Sequence, residues 1–218
     1  MRQSGLFITF EGTEGGGKTT QIALLAERLR ALGRVVRVLR EPGGTPIGEE
    51  IRHTLKHSEA NRAMTAEAEL LLMNASRAQL VREAIRPALA AGEIVLCDRF
   101  YDSTLAYQGY GRGLDLRQIT AMIDFAVGET RPDLTVLLAV PLAVSAVRRK
   151  QRQAGELVQR DRLEEADQIF FEQVEKGYEA IVAAEPGRVR VVDATQSVTL
   201  VSAAFWGHVE PRLSMEGL

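Results

Sequence analysis

The sequence predicts an α/β fold, a doubly wound sheet of five parallel strands flanked by helices, on three observations. Five short apolar runs, at Leu6–Glu11, Val35–Arg40, Ile94–Asp98, Leu134–Val140 and Val189–Asp193, lack the polar alternation of a half-exposed strand and suit a sheet covered on both faces. Segments of helical period lie between them. The residues suited to chemistry, Glu11 to Lys18, Arg40 to Thr45 and Asp98 to Ser103, each follow directly on a strand, where ligands bind in such a sheet.

The connecting helices are expected at Thr19–Leu32, Gly48–Leu55, Ala66–Ala91, Leu116–Val127, Leu142–Gln153, Gln168–Ala184 and Val198–Val209. Gly33 and Gly92 end two of them, and Pro87 is expected to kink the third. With 218 residues, 45% hydrophobic and 26% charged, the chain is long enough for one sizeable core. No linker, repeat or low-complexity tract divides it, so residues 1–218 read as a single domain. A net charge of −2 offers no global positive field for nucleic acid or anionic lipid. Cys97, the single cysteine, excludes an internal disulfide and argues for a reducing compartment. No apolar stretch approaches membrane-spanning length and residues 1–5 are too short for a signal sequence, so the expected location is the cytoplasm.

After the first strand stands Gly12-Thr13-Glu14-Gly15-Gly16-Gly17-Lys18-Thr19-Thr20, which fits G-x-x-x-x-G-K-[ST] between a strand and a helix. Glycines let successive backbone N–H groups turn toward phosphate oxygens, and the helix N-terminus adds positive partial charge. Lys18 is placed to neutralise the β- and γ-phosphates, and the Thr19 hydroxyl to take Mg²⁺. The loop therefore predicts a nucleoside-triphosphate site. The third strand ends in Asp98-Arg99-Phe100, an acid at the metal-holding position followed by a cation. A positive charge beside the transferred phosphate suits an anionic acceptor better than water, which favours a transferase over a hydrolase.

Longer matches carry a family resemblance. The run from Asp98 to Gly109, Asp-Arg-Phe-Tyr-Asp-Ser-Thr-Leu-Ala-Tyr-Gln-Gly, resembles the DR-[YFH]-x-x-S-x-x-A-Y-Q-G signature of thymidylate kinases. Arg40-Glu41-Pro42-Gly43-Gly44-Thr45 is similar to that family's REPGGT turn, and Phe10-Glu11-Gly12 with Glu14 is similar to its opening loop. Arg77-Ala78-Gln79, Arg131-Pro132-Asp133, Asp161-Arg162-Leu163-Glu164, Gly177-Tyr178 and Asp193-Ala194-Thr195 follow in family order.

The resemblance implies transfer of the ATP γ-phosphoryl group to dTMP with Mg²⁺, and a homodimer, for which the apolar face of Ala66–Ala91 is the candidate surface. It puts ATP on Gly12 to Thr20 and the metal on Thr19 and Asp98. Arg77 takes the thymine O4 edge; Thr104 and Gln108 hold the pyrimidine and its N3. Glu14 accepts from the sugar 3′-hydroxyl, and Tyr107 crowds the 2′ position. Arg99 and Arg52 take the monophosphate, Glu41 lines the metal and phosphate region, and Pro42 and Met73 complete the dTMP pocket. Lys18, Asp98, Arg99, Glu14 and a lid arginine are the implied catalytic set.

The lid is expected at about residues 148–163, where Arg148-Arg149-Lys150-Gln151-Arg152 leads into a Gly-containing polar loop. The phosphate loop carries no base between its first and last glycines, so the chain is similar to the bacterial type in which a lid arginine supplies transition-state charge. Arg149, then Arg152 and Arg160, are the candidates. Two positions depart from the family pattern: Met73 stands near where many relatives stack an aromatic ring on thymine, and Ala139 where many carry an acid. His53 and His57 are spaced as metal ligands on a helix can be, without H-E-x-x-H or a third ligand. The rival readings are another nucleoside monophosphate or deoxynucleoside kinase, a regulatory P-loop switch, and a DNA-linked ATPase.

Overall fold

The structure is a computed structural model that describes residues 5–155 and 168–215; for residues 149, 150, 152–155, 214 and 215 it describes the backbone alone. Strands β1 (Phe7–Glu11), β2 (Val36–Arg40), β3 (Ile94–Asp98), β4 (Leu134–Ala139) and β5 (Val189–Asp193) form one parallel sheet in the order β2-β3-β1-β4-β5. The strand order reverses beside β1, which pairs with β3 on one side and β4 on the other. That switch point opens a crevice at the carboxyl end of β1.

Helix α1 (Lys18–Ala31) follows β1, and α2 (Pro46–Lys56) follows β2 with Thr45 Oγ1 capping the Gly48 N–H at 3.0 Å. Helix α3 (Ala66–Leu80) passes through a π turn at Val81–Ile85 into α4 (Arg86–Ala90). The turn lies directly ahead of Pro87, whose missing N–H rules out one bond of a regular ladder, so the predicted break is met by a change of helix type. Helix α5 (Tyr101–Thr104) continues as a π segment, Leu105–Gly111. The sequence does not predict this helix, because the run is dense in aromatic, Gly and hydroxyl residues of weak helix propensity. Helices α6 (Leu116–Val127), α7 (Leu142–Gly155), α8 (Gln168–Ala184) and α9 (Val198–Met215) complete the chain. Helix α9 runs past the expected end at Val209 and through Pro211. Buried Leu213 anchors this last turn, and Arg212 Nη1 donates to the His208 carbonyl at 2.8 Å.

Alternation along β1 sorts the two core layers. Ile8 and Phe10 pack with Ile22, Leu25 and Leu29 of α1 and with Phe205 of α9, whose ring stacks on Phe10 at 5.5 Å. Phe7 faces the other way, into Leu80, Val81 and Ile85, and meets Phe100 edge-on at 5.1 Å. A third cluster joins Tyr107 to Phe170, Phe171 and Val174 of α8. The expectation that all five strands are covered holds for β1, β3 and β4. It fails at the edges, where Val38 of β2 and Val191 of β5 are 45% and 48% exposed because no described strand or helix closes over them.

Candidate active site

The phosphate loop is built by backbone geometry. Gly12 adopts φ 122°, and a Cβ there would stand 2.5 Å from the Leu138 carbonyl oxygen, so the turn out of β1 needs glycine. Gly17 caps α1 in the left-handed region without a capping side chain, which leaves the first-turn amides for an anion. Lys18 is folded back over the loop, donating to the carbonyls of Gly12 and Thr13 at 3.0 and 3.2 Å. Burial, and then the nearby Arg99 charge, lower its ammonium to about 8. From α7, Ser145 Oγ donates to the Glu14 carbonyl at 2.6 Å and pins the loop's middle.

Asp98 reaches the loop from the end of β3, where it is in register with Phe10 and Arg40. Thr19 Oγ1 donates to Asp98 Oδ2 at 3.4 Å. A hydroxyl and one carboxylate are hard oxygen donors of the kind Mg²⁺ accepts when phosphates and water fill its remaining positions. The two residues therefore fit that ion. The His53 and His57 rings stand 6.2 Å apart at the C-terminal end of α2, and no group of three or more His, Cys, Asp or Glu side chains able to hold a metal occurs among the described residues.

Beside the loop lies a cavity of about 600 Å³, its open mouth included, lined by Glu14 of the loop and by Glu41, Pro42, Met73, Arg77, Arg99, Thr104, Tyr107 and Gln108. Lys56, Phe100, Ser103 and Phe171 complete the lining. Nearly all the residues predicted for the second substrate thus share one wall. Arg52 does not line it; its Nη1 donates to the Pro42 carbonyl at 2.9 Å and so supports a lining residue from behind. Arg149 lies in α7, but its side chain, like that of Arg152, is outside the description. Arg160 and the loop part of the predicted lid, with Asp161 to Glu164, lie outside the described residues.

Arg77 does more than the sequence reading asked of it. Its Nε and Nη2 donate to Glu41 Oε2 at 2.9 and 2.7 Å, its Nη2 also reaches Thr104 Oγ1 at 2.9 Å, and its Nη1 bonds Asn74. Glu41 is thereby a buried partner of Arg77 in the cavity wall, with its backbone beside Asp98. Burial raises the Glu41 carboxyl to about 7, against the pull of Arg77. Among the described residues its Oε1 is buried without a hydrogen-bond partner.

Arg99 is the non-glycine residue with positive φ, 69°, among the described residues. What holds it there is Glu11. The Glu11 carboxylate accepts from the Phe100 and Ser103 N–H groups at 2.8 and 3.2 Å, from Ser103 Oγ at 2.5 Å and from the Tyr178 hydroxyl at 2.9 Å. It thus caps α5 and pins the chain on the far side of Arg99. Burial, then the charge of Asp102, raise its carboxyl above the usual range. The Arg99 guanidinium meets Ser103, Tyr107 and Tyr178 hydroxyls at 3.0, 3.3 and 3.4 Å and lies 5.0 Å over the Tyr107 ring. Glu11 and Tyr178 thus belong to the surroundings of Arg99, and the sequence, read residue by residue, assigns neither a role. The signals for Glu11 are its place as an acid closing a largely apolar strand and its place in the Phe10-Glu11-Gly12 match, and neither names a role for it.

Beneath these residues, Asp102 takes both Arg188 Nη atoms at 2.8 Å and accepts from Thr135 Oγ1 at 3.2 Å. This polar tie joins α5 to β4 and to the start of β5.

A parallel sheet with a phosphate-gripping loop at its switch point, and a second pocket that shares a loop residue, defines a P-loop nucleotide phosphotransferase. The family model described as thymidylate kinase matches residues 10–204, and the chain belongs to the thymidylate kinase family, the enzymes that phosphorylate dTMP. It is 49% identical to a thymidylate kinase of Alcanivorax borkumensis over 91% of this chain and 92% of that one. It is 47% identical to one of Desulforudis audaxviator over 96% and 92%. The crystal structure of thymidylate kinase from Ehrlichia chaffeensis superposes with a TM-score of 0.76 at 32% identity, covering 94% of this chain and 98% of that one.

Proposed function

We propose that this chain moves the ATP γ-phosphoryl group onto dTMP held in the cavity, with the residues named above in definite roles. One observation carries the reading: Glu14, inside the phosphate loop, lines the same cavity as Arg77, Thr104 and Gln108. The loop that grips the donor therefore also reaches the acceptor. In-line transfer needs that adjacency.

The acceptor is a phosphate oxygen that already carries charge, so no general base is required. The work falls on positioning and on cations. The loop amides from Gly12 to Thr20 cradle the triphosphate, and Lys18 neutralises its outer phosphates. Thr19 and Asp98 are the residues that would hold Mg²⁺, which when bound supplies charge neutralisation across the phosphates. Arg99 exchanges its hydroxyl partners for oxygens of the monophosphate, and Arg52 supports that side through Pro42. Glu14 orients the 3′-hydroxyl, and Tyr107, packed edge-on against Phe170 at 5.9 Å, crowds C2′. Arg77 and Thr104 face the base, and Met73 adds a polarisable contact. Arg149 is the arginine assigned to the transition state, worth about 10³–10⁵ in rate for such a group.

The acting form is a homodimer joined through α3 and α6. Leu71 and Phe125, 57% and 83% exposed, flank an apolar groove with Ala75, Ala78 and Met122. Phe125→Glu should give a monomer in analytical ultracentrifugation; an unchanged mass would sink this surface. No described helix is long and apolar enough to cross a membrane. The charge of −2 and the lone buried Cys97 favour a cytoplasmic enzyme without a nucleic-acid or membrane partner.

ADP release measured with ATP, Mg²⁺ and each of dTMP, dUMP, dCMP and AMP tests the whole. Turnover should be fastest with dTMP. Faster turnover with dUMP, dCMP or AMP would overturn it.

A further inference from the structure

We propose that Glu69 is a specificity-determining positioning residue that fixes which end of the Gln108 amide faces the base. The inference rests on reading the cavity as the dTMP site. Glu69, on the first turn of α3, is fully buried, and Gln108 is 2% exposed. Gln108 Nε2 donates to Glu69 Oε1 at 2.7 Å. The same carboxylate is held by Arg112, whose Nη2 stands 3.2 Å from Oε2 and whose Nε stands 3.4 Å from Oε1.

A carboxylate paired with a guanidinium accepts hydrogen bonds and does not donate them. The Gln108 nitrogen must therefore face Glu69, and the amide oxygen is what Gln108 has to offer a ligand in the cavity it lines with Thr104 and Arg77. A fixed acceptor matches the N3–H of thymine and opposes the bare N3 lone pair of cytosine. An amide is nearly symmetric in shape, so without Glu69 it could turn over and serve either ring. Discrimination at N3 is thus set by a residue that never touches the base. The pair is separated by 39 positions, and an acid in the first turn of a helix is accounted for by the helix dipole alone, which hides the role in the sequence.

The test is the ratio of kcat/KM for dTMP to that for dCMP in the wild type, Glu69→Gln, Glu69→Gln/Arg112→Gln and Gln108→Leu, with dUMP as control. Glu69→Gln should lower the dTMP/dCMP ratio by about tenfold or more, because an unpaired polar edge is what rejects a wrong base. The KM for dTMP should rise, while the KM for ATP and the dTMP/dUMP ratio should hold. The double variant leaves no stranded guanidinium, so it reports the same shift if the single one folds poorly. Equal losses on dTMP and dCMP in both Glu69 variants would mean a purely structural ion pair and would overturn the proposal. If Gln108→Leu collapses the ratio and the Glu69 variants keep it, Glu69 alone is misassigned. If Gln108→Leu keeps the ratio too, the base sits elsewhere and the reading of the cavity falls with the proposal.

Discussion

The Arg77 guanidinium and the Glu41 carboxylate meet at 2.7 Å with 2% and 4% of their side chains exposed, and they join two segments that lie 36 positions apart. A guanidinium this deep is tolerable because almost every N–H it carries has a partner. Removing one member leaves the other buried and alone.

Arg77→Ala should therefore destabilise the fold by about 3–5 kcal/mol, the usual cost of stranding a buried charge. It should also raise the KM for dTMP more than that for ATP. Arg77→Met combined with Glu41→Gln should recover much of the stability in urea titrations while dTMP recognition stays impaired. Recovery of both would show that Arg77 is only a strut.

Lys18 supplies a pH prediction. Its ammonium is lowered to about 8, burial being the largest cause, so above that pH the nucleotide-free enzyme loses the charge that meets the phosphates. The kcat/KM for ATP should be flat below about pH 8 and fall near tenfold per unit above it. Bound phosphates favour the charged lysine, so kcat should break at higher pH. Stability runs in the opposite sense: the folded state gives up its proton first, so stability contributed at this site rises between about 8 and 10.5. A Lys18→Met variant should lose that rise in thermal midpoints and most of its turnover. A wild-type profile with no break in kcat/KM up to pH 10 would contradict the assignment.

Arg99 sits at φ 69°, where an L side chain pays about 1–2 kcal/mol that glycine escapes. Arg99→Gly should thus unfold at higher urea than Arg99→Ala by about 1 kcal/mol, the reverse of the order elsewhere. Both variants should lose most activity through kcat and the KM for dTMP. Equal stability of the two would mean that the backbone relaxes once the guanidinium is gone.

Asp102 and Arg188 form a two-pronged ion pair across 86 positions, with 1% and 12% exposed. Arg188→Met should cost about 3 kcal/mol of stability by leaving Asp102 buried without its cation. Because the pair lies beneath the cavity and not on its lining, both KM values should change little. A large shift in the KM for dTMP would place this pair in substrate binding.

Local chemistry made much of the protein legible from its residues alone. Short apolar runs announced the strands, glycines at fixed offsets announced the phosphate loop, and an acid followed by a cation at the end of the third strand announced a phosphoryl acceptor. Each of these signals sits within a dozen residues, where covalent spacing and backbone sterics decide the outcome. Packing decided the rest. The hydrogen bonds of Arg77, the left-handed Arg99 held by Glu11, the half-open edges at Val38 and Val191, and the Glu69 grip on Gln108 all depend on which distant segments share a layer. No local rule encodes a partner tens of residues away, because burial and pairing energies arise only once the sheet has brought both members out of water together.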